Sequence, residues 1–265
     1  MNIKYIKVKT NYLKGILSSY ASRPLNVGNV SLEQLRKTLS LSGEQAIFLH
    51  VGLSALKKAL GPLAQKELID IFRSQNISIL VPGFTPSFRQ SGIYHKQFSQ
   101  PEYGTFSKLF LPEANDRTDD AIHSILIKGI YSFSGCNHQK SFADDSCFGK
   151  IDRDNLYYVN IGTRDLVCTQ LHFIEHHYTV PYNEIMNHEG ILYDNESNYR
   201  HITQANYRHN MRVTWNRNKI RKLLIKEGVM KEHQINGLCI RLFRAGDLKT
   251  VLGKQIIVNP YYLVT

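Results

Sequence analysis

Cysteine is scarce: four residues, at positions 136, 147, 168 and 239, with no Cys-x-x-Cys pair. Four scattered thiols in 265 residues cannot form the framework of a disulfide-built protein. Long apolar runs are missing too, and none approaches the roughly 18 residues that a membrane helix needs. The start, MNIKYIKVKTNYL, alternates lysine with apolar residues and lacks both the unbroken apolar stretch and the cleavage site of a signal peptide. A reducing cytoplasm fits these absences. There is no internal repeat and no low-complexity linker, so one continuous domain over 1–265 is expected. Gly-x-Ser-x-Gly, the Walker motif and a Gly-x-Gly-x-x-Gly followed by an acid are all absent, which removes support for nucleophile-elbow hydrolases, P-loop enzymes and Rossmann dehydrogenases.

Acid is the charge in short supply. Asp and Glu number 22 against 33 Lys and Arg, a formal charge of +11. The acids concentrate in residues 100–199, which hold 15 of them with 7 bases. Arg200–Lys231 carries nine bases and a single acid, Glu227. In that stretch Tyr199, Tyr207 and Trp215 alternate with Arg208, Arg212 and Arg217, a composition that can track and stack on a single nucleic-acid strand. An acidic middle in a basic frame is odd for such a binder. It suits a protein that receives an anionic partner at one place and a cationic group at another.

What is present reads as an α/β chain, 42% hydrophobic. Residues 31–40 form a helix pattern capped by Ser31, with Leu32, Leu35 and Leu39 at helical spacing. Ala46–Val51 and Ile77–Val81 are short apolar strands, separated by helical patterns over 54–60 and 63–75. Helix, strand, helix, strand predicts a central mixed, largely parallel sheet flanked by helices. Residues 85–105 read as a long loop. Strands are expected at 124–130, 157–161, 238–243 and 255–258, and a basic helix around 216–227.

Three constellations carry chemistry. In TQLHFIEHHYTVPY (169–182) a helix sets His172, Glu175 and His176 on one face. His-x-x-Glu-His is the ligand pattern of inverted zinc peptidases, yet no third ligand is marked downstream. Without metal, His172 is a general base with Glu175 orienting its ring or holding an ammonium. A pair of surface histidines beside a helix end is the plain alternative. The second constellation, RTDDAIHS (117–124), puts His123 and Ser124 at the start of a strand, where polar groups reach sites in α/β folds. The third, HVGLSAL (50–56), is a strand-to-helix junction whose Gly52 permits close backbone approach and whose helix start offers N–H groups to a phosphate.

In order along the chain, these segments resemble the aminoglycoside 3-N-acetyltransferase family. The family's His-x-Ser-Leu-Ser-x-Leu-Gly element corresponds to His50 through Lys57, and its strand end before Phe-Thr to Ile77 through Thr85. Its Arg-Ser-x-x-Pro-x-His-Ser element corresponds to Arg117 through Ser124. Phe142 through Ile151 echoes a Phe-Gly-x-x-Ser-Pro block, Gly162 with Thr169 through Glu175 a Thr-x-x-His-x-x-Glu block, and Gly237 through Leu248 the terminal strand and helix start. Gly52, Lys57, Ala121 and Cys147 depart from the pattern, whereas His123, Ser124, His172 and Glu175 keep it.

The resemblance implies a single acetyltransferase domain that uses acetyl-coenzyme A and no metal. It implies His172 and Glu175 as catalytic residues. For the coenzyme it implies Gly52, Leu53, Ser54, Ala55, Pro82, His123 and Ser124. No cysteine holds a matched catalytic position, so transfer is expected to be direct, without an acyl-enzyme. Asp120, Asp145 and His176, with Asp119 and Asp144 nearby, are expected to receive the substrate amine. A polycationic antibiotic is repelled by a basic frame, whereas a nucleotide-linked amino sugar brings a diphosphate together with one amine. The expected acceptor is therefore a dTDP- or UDP-amino sugar of the kind built into surface polysaccharide, with antibiotic acetylation as the alternative. The expectation includes no nucleic-acid and no membrane partner, and leaves the oligomeric state open.

Overall fold

The computed structural model describes residues 3–20 and 25–265. Helix α1 (Ile3–Tyr20) is followed by α2 (Leu32–Thr38), whose cap Ser31 accepts from the Gln34 amide at 3.2 Å. Then come β1 (Ala46–Val51), α3 (Leu53–Leu60), α4 (Ala64–Arg73) and β2 (Ser78–Pro82), in the order the apolar periodicity predicts. Side chains of β1 alternate between the two main cores: Ala46 and Phe48 enter one, Ile47 and Leu49 the other. A strand covered on both faces reads as an unbroken apolar run, which is why AIFLHV stands out in the sequence.

The stretch 85–105 is more ordered than a loop. It contains the one-turn helix α5 (Phe88–Ser91) and strand β3 (Ile93–His95), pinned by Phe88 and Tyr94 in a third small core. Next are α6 (Thr105–Phe110), β4 (Asp116–Arg117), β5 (Ile125–Lys128), α7 (Cys147–Arg153), β6 (Tyr157–Ile161) and α8 (Gln170–His177). A long hairpin of β7 (Asn183–Tyr193) and β8 (Tyr199–His209) leads to α9 (Arg217–Lys226), β9 (Met230–Ile235), β10 (Leu238–Arg244) and α10 (Ala245–Val258). The strand expected at 255–258 is the last turn of α10. Leu248, Leu252 and Ile256 are buried at intervals of four, so the apolar end belongs to a helical stripe that starts upstream.

Among the described residues seven strands form one mixed sheet, in the order β4-β5-β2-β1-β6-β10-β9, and β3, β7 and β8 form a second. Parallel pairing joins β1 to β2 and to β6; the flanking pairs are antiparallel. The sheet is thus mixed as expected, with its parallel part confined to the three central strands. Leu56, Leu68 and Phe106 cover one face, and Phe148, Leu171, Ile174 and Leu252 cover the other. The chain leaves β1 on one side for β2 and returns on the other as β6, so a switch point lies beyond the carboxyl ends of these strands, where open α/β sheets bind ligands.

Candidate active site

A cavity of about 620 Å³ opens at that switch point. His50 and Val51 from the end of β1, Pro82 from β2 and Thr163 from the turn after β6 line its floor. Phe84 and His123 form one wall, and His172, Asn206, His209 and Trp215 another.

His172 projects from the first turn of α8, and its partner Glu175 lies one turn on, wholly buried. The Glu175 carboxylate is shared three ways. Its Oε2 accepts from His209 Nε2 at 3.0 Å and lies 3.4 Å from His172 Nδ1, while Oε1 accepts from Trp215 Nε1 at 2.7 Å. Burial alone raises a carboxyl pKa; here the hydrogen bonds and charges of His172 and His209 outweigh it and hold Glu175 down to about 2. A permanent carboxylate beside Nδ1 favours the proton there and leaves Nε2 of His172 with its lone pair. Trp215 and Phe142 pack on the His172 ring, with centroids 4.6 and 5.2 Å away.

His123 lies at 6.4 Å from His172, ring to ring, and Nδ1 is 3.0 Å from Ser141 Oγ. Burial, helped by the neighbouring His172, pushes its pKa well down, so this ring is neutral at neutral pH. Burial does the same to His50, down to about 3, and its Nε2 finds no partner among the described residues. Asn206 Nδ2 is likewise buried and unpartnered. Two orphaned polar atoms on residues that line one cavity suit a ligand that brings its own polar groups.

Other expected site residues lie elsewhere. Gly52 is needed for close packing of backbone: its amide donates to Ile161 O at 2.8 Å, and a Cβ there would lie 2.1 Å from the Gly162 carbonyl oxygen. The glycine lets two adjacent strand ends exit side by side. Leu53 and Ser54 do line an opening, a second cavity of about 480 Å³ shared with Lys57, Lys58 and Thr105. Ala55 is buried in the core behind it. Ser124 is fully buried and engaged, donating to Gly83 O at 2.7 Å and accepting from Arg117 Nε at 3.0 Å. It braces the β2–β5 junction and does not reach the cavity.

None of the expected amine-binding acids lines the cavity either. Asp120 is buried and accepts from the Ile122 and His123 amides at 2.9 and 2.7 Å; burial lifts its pKa to about 6. Its role is to hold the turn that presents His123. Asp119 pairs with Lys96 and Arg200, Asp144 with His177, and exposed Asp145 bonds Asn137. His176 turns from His172 and packs on Tyr207, 4.0 Å between centroids.

No local pattern in the sequence marks His209 or Trp215 as site residues, and Trp215 lies in the basic, aromatic stretch 200–231. Much of that basic stretch is engaged within the fold: Arg200 pairs with Asp194, Arg208 with Glu184, and Arg221 with Glu232. Together His172, Glu175 and His209 offer three ligand atoms within 4.8 Å of one another, a set the sequence pattern does not mark, because it takes Glu175 and His209 in place of His176.

An open α/β sheet with a carboxylate-oriented imidazole lining a cavity at its switch point is an arrangement fit for general-base chemistry. The sequence profile described as Aminoglycoside 3-N-acetyltransferase matches residues 88–255, and the chain belongs to that family. Its chemistry is N-acetyl transfer from acetyl-coenzyme A. Solved structures share the fold. AAC-IIIb in binary complex with CoASH is 15% identical, with a TM-score of 0.69 over 86% of this chain and 98% of that one. YokD from Bacillus subtilis is 15% identical (TM-score 0.67, 91% and 96% covered), and AAC(3)-IVa in complex with apramycin is 15% identical (0.63, 87% and 92%). No curated protein matches the sequence.

Proposed function

We propose that this enzyme acetylates the primary amine of a nucleotide-linked amino sugar, using acetyl-coenzyme A directly and His172 as general base. The observation that carries the acceptor is the charge of the main cavity: its described lining includes Arg89, Arg208 and Arg217 and no acid. Arg208 is balanced by Glu184, which leaves the rim cationic all the same. A polycationic aminoglycoside needs carboxylates, whereas a sugar carrying a diphosphate needs cations.

The step itself asks little of the protein beyond position and one base. A neutral amine attacks the thioester carbonyl carbon; the C–N bond forms, the C–S bond breaks, and coenzyme A leaves as thiolate. The proton released from nitrogen passes to His172 Nε2 and from there to the leaving sulfur. Glu175 and His209 keep the ring oriented and its Nδ1 protonated while the charge on it changes. The opening at the start of α3 suits the coenzyme's phosphates, because Lys57 and Lys58 stand there beside Ser54. His50 and His123, kept neutral by burial, add no charge to the path of the pantetheine arm.

An aminoglycoside acceptor is favoured by a different observation, the likeness to AAC(3)-IVa in its apramycin complex. A thiol-release assay with acetyl-coenzyme A separates the two. Turnover of UDP- or dTDP-amino sugars with none of kanamycin-type antibiotics is expected; the reverse pattern overturns the proposal.

A further inference from the structure

A third, larger cavity of about 980 Å³ adjoins the first, and the two share Trp215 and Arg217. Lys7 and Lys14 of α1 face it from one side and Arg164 from the turn after β6, and Asp165 is the one acidic side chain among its described lining residues. That turn is fixed from beneath: buried Arg241 donates to the carbonyls of Thr163 at 3.0 Å and Arg164 at 3.1 Å. Lys219 stands beside the cavity, donating to Thr265 O at 2.7 Å, and burial together with the charge of Lys7 lowers its pKa to about 8. Lys7, Lys14, Arg164 and Arg217 gather positive charge at one place. Nothing in the acetyl-transfer step uses these groups, and the coenzyme's candidate opening has its own two lysines at α3.

We infer that this cavity is the diphosphate subsite of the acceptor, receiving the nucleoside diphosphate while the sugar amine reaches His172 past Trp215. Trp215 then has two tasks. Its Nε1 fixes Glu175 at 2.7 Å, and its ring forms the step between the two cavities, a flat apolar surface suited to a sugar face. The inference rests on the nucleotide-linked reading above and adds where that anion is held.

The test is calorimetric binding of UDP and dTDP to the full-length enzyme saturated with coenzyme A. Binding that persists with the coenzyme site filled, and that inorganic pyrophosphate displaces, is expected. Lys14→Glu, at an exposed helix position, is expected to weaken UDP about tenfold, the scale of one lost charge-assisted contact, and to raise the acceptor KM far more than it lowers kcat. Absence of UDP binding under coenzyme saturation overturns the subsite, as does UDP that pyrophosphate does not displace or a Lys14→Glu enzyme with unchanged UDP affinity. The two failures are distinguishable. Acetylation of nucleotide sugars with no effect of Lys14→Glu removes only the subsite, whereas UDP binding without sugar acetylation removes only the acceptor reading.

Discussion

Three donors converge on one buried carboxylate, and that sharing decides how single substitutions act. Replacing His172 with Asn keeps size and polarity but removes the lone pair that takes the amine's proton. Its kcat is expected to fall roughly 10²–10⁴-fold with the acceptor KM little changed, read in the thiol-release assay. Glu175 makes a different prediction. Its folded pKa of about 2 lies below the ordinary 4.5, so its stabilising contribution is complete above about pH 4.5 and is lost as pH falls through about 2. Urea midpoints measured from pH 6 downward are therefore expected to drop more steeply in the wild type than in Glu175→Gln over that window. Equal slopes would mean that the carboxylate is not held charged by its neighbours.

The same cluster marks how far the sequence could be read residue by residue. His172 and Glu175 were legible because three positions on a helix bring side chains together whatever the fold does elsewhere. His209 stands 34 residues beyond Glu175, at the far end of a hairpin, and no local period links them. The aspartates misled for a related reason. Asp119, Asp120 and Asp144 look available in a string of letters, but a carboxylate's availability depends on which cation or amide reaches it in space.

At the level of elements, the strand-to-helix junction after β1 is the part most sensitive to a single added carbon. Gly52 and Gly162 pass so closely that a methyl group at position 52 collides with backbone, which has no flexible end to move aside. Gly52→Ala is expected to lower unfolding free energy by about 3 kcal/mol, the upper end of overpacking costs, and to disturb the coenzyme opening at α3 in the same step. An alanine variant with wild-type urea midpoint would show that the two strand ends have room to part. The elements that periodicity made legible, β1, α3, α4, β2, β6 and α8, are also those packed on both sides of the central sheet. Among the elements missed, α5, β3 and the β7–β8 hairpin lie outside that sheet, while β4 and β9 are its two edge strands. The half-exposed hairpin shows neither an unbroken apolar run nor a helical stripe, so its pairing depends on a register set over eleven residues of each strand.

Over the whole molecule, charge that is segregated along the chain is paired across it. Acids of residues 100–199 find cations elsewhere in the chain: Asp152 meets Lys249 and Asp119 meets Lys96 and Arg200, while Asp194 meets Arg200 nearby. Acid that looked like a receptor for an amine is thus engaged by partners within the fold, and the main cavity's described lining keeps arginines without an acid. Its consequence is kinetic. A cationic cleft raises the encounter rate of an anionic acceptor, and salt weakens the attraction because the screening length is only about 10 Å at 0.1 M. With acetyl-coenzyme A held saturating, kcat/KM for a dTDP- or UDP-amino sugar is expected to fall severalfold between about 20 and 300 mM monovalent salt, with kcat nearly constant. A polycationic acceptor approaching the same rim would show the opposite slope, because screening relieves repulsion. The sign of that one dependence therefore reports which charge the enzyme is built to receive, independently of how fast either acceptor turns over.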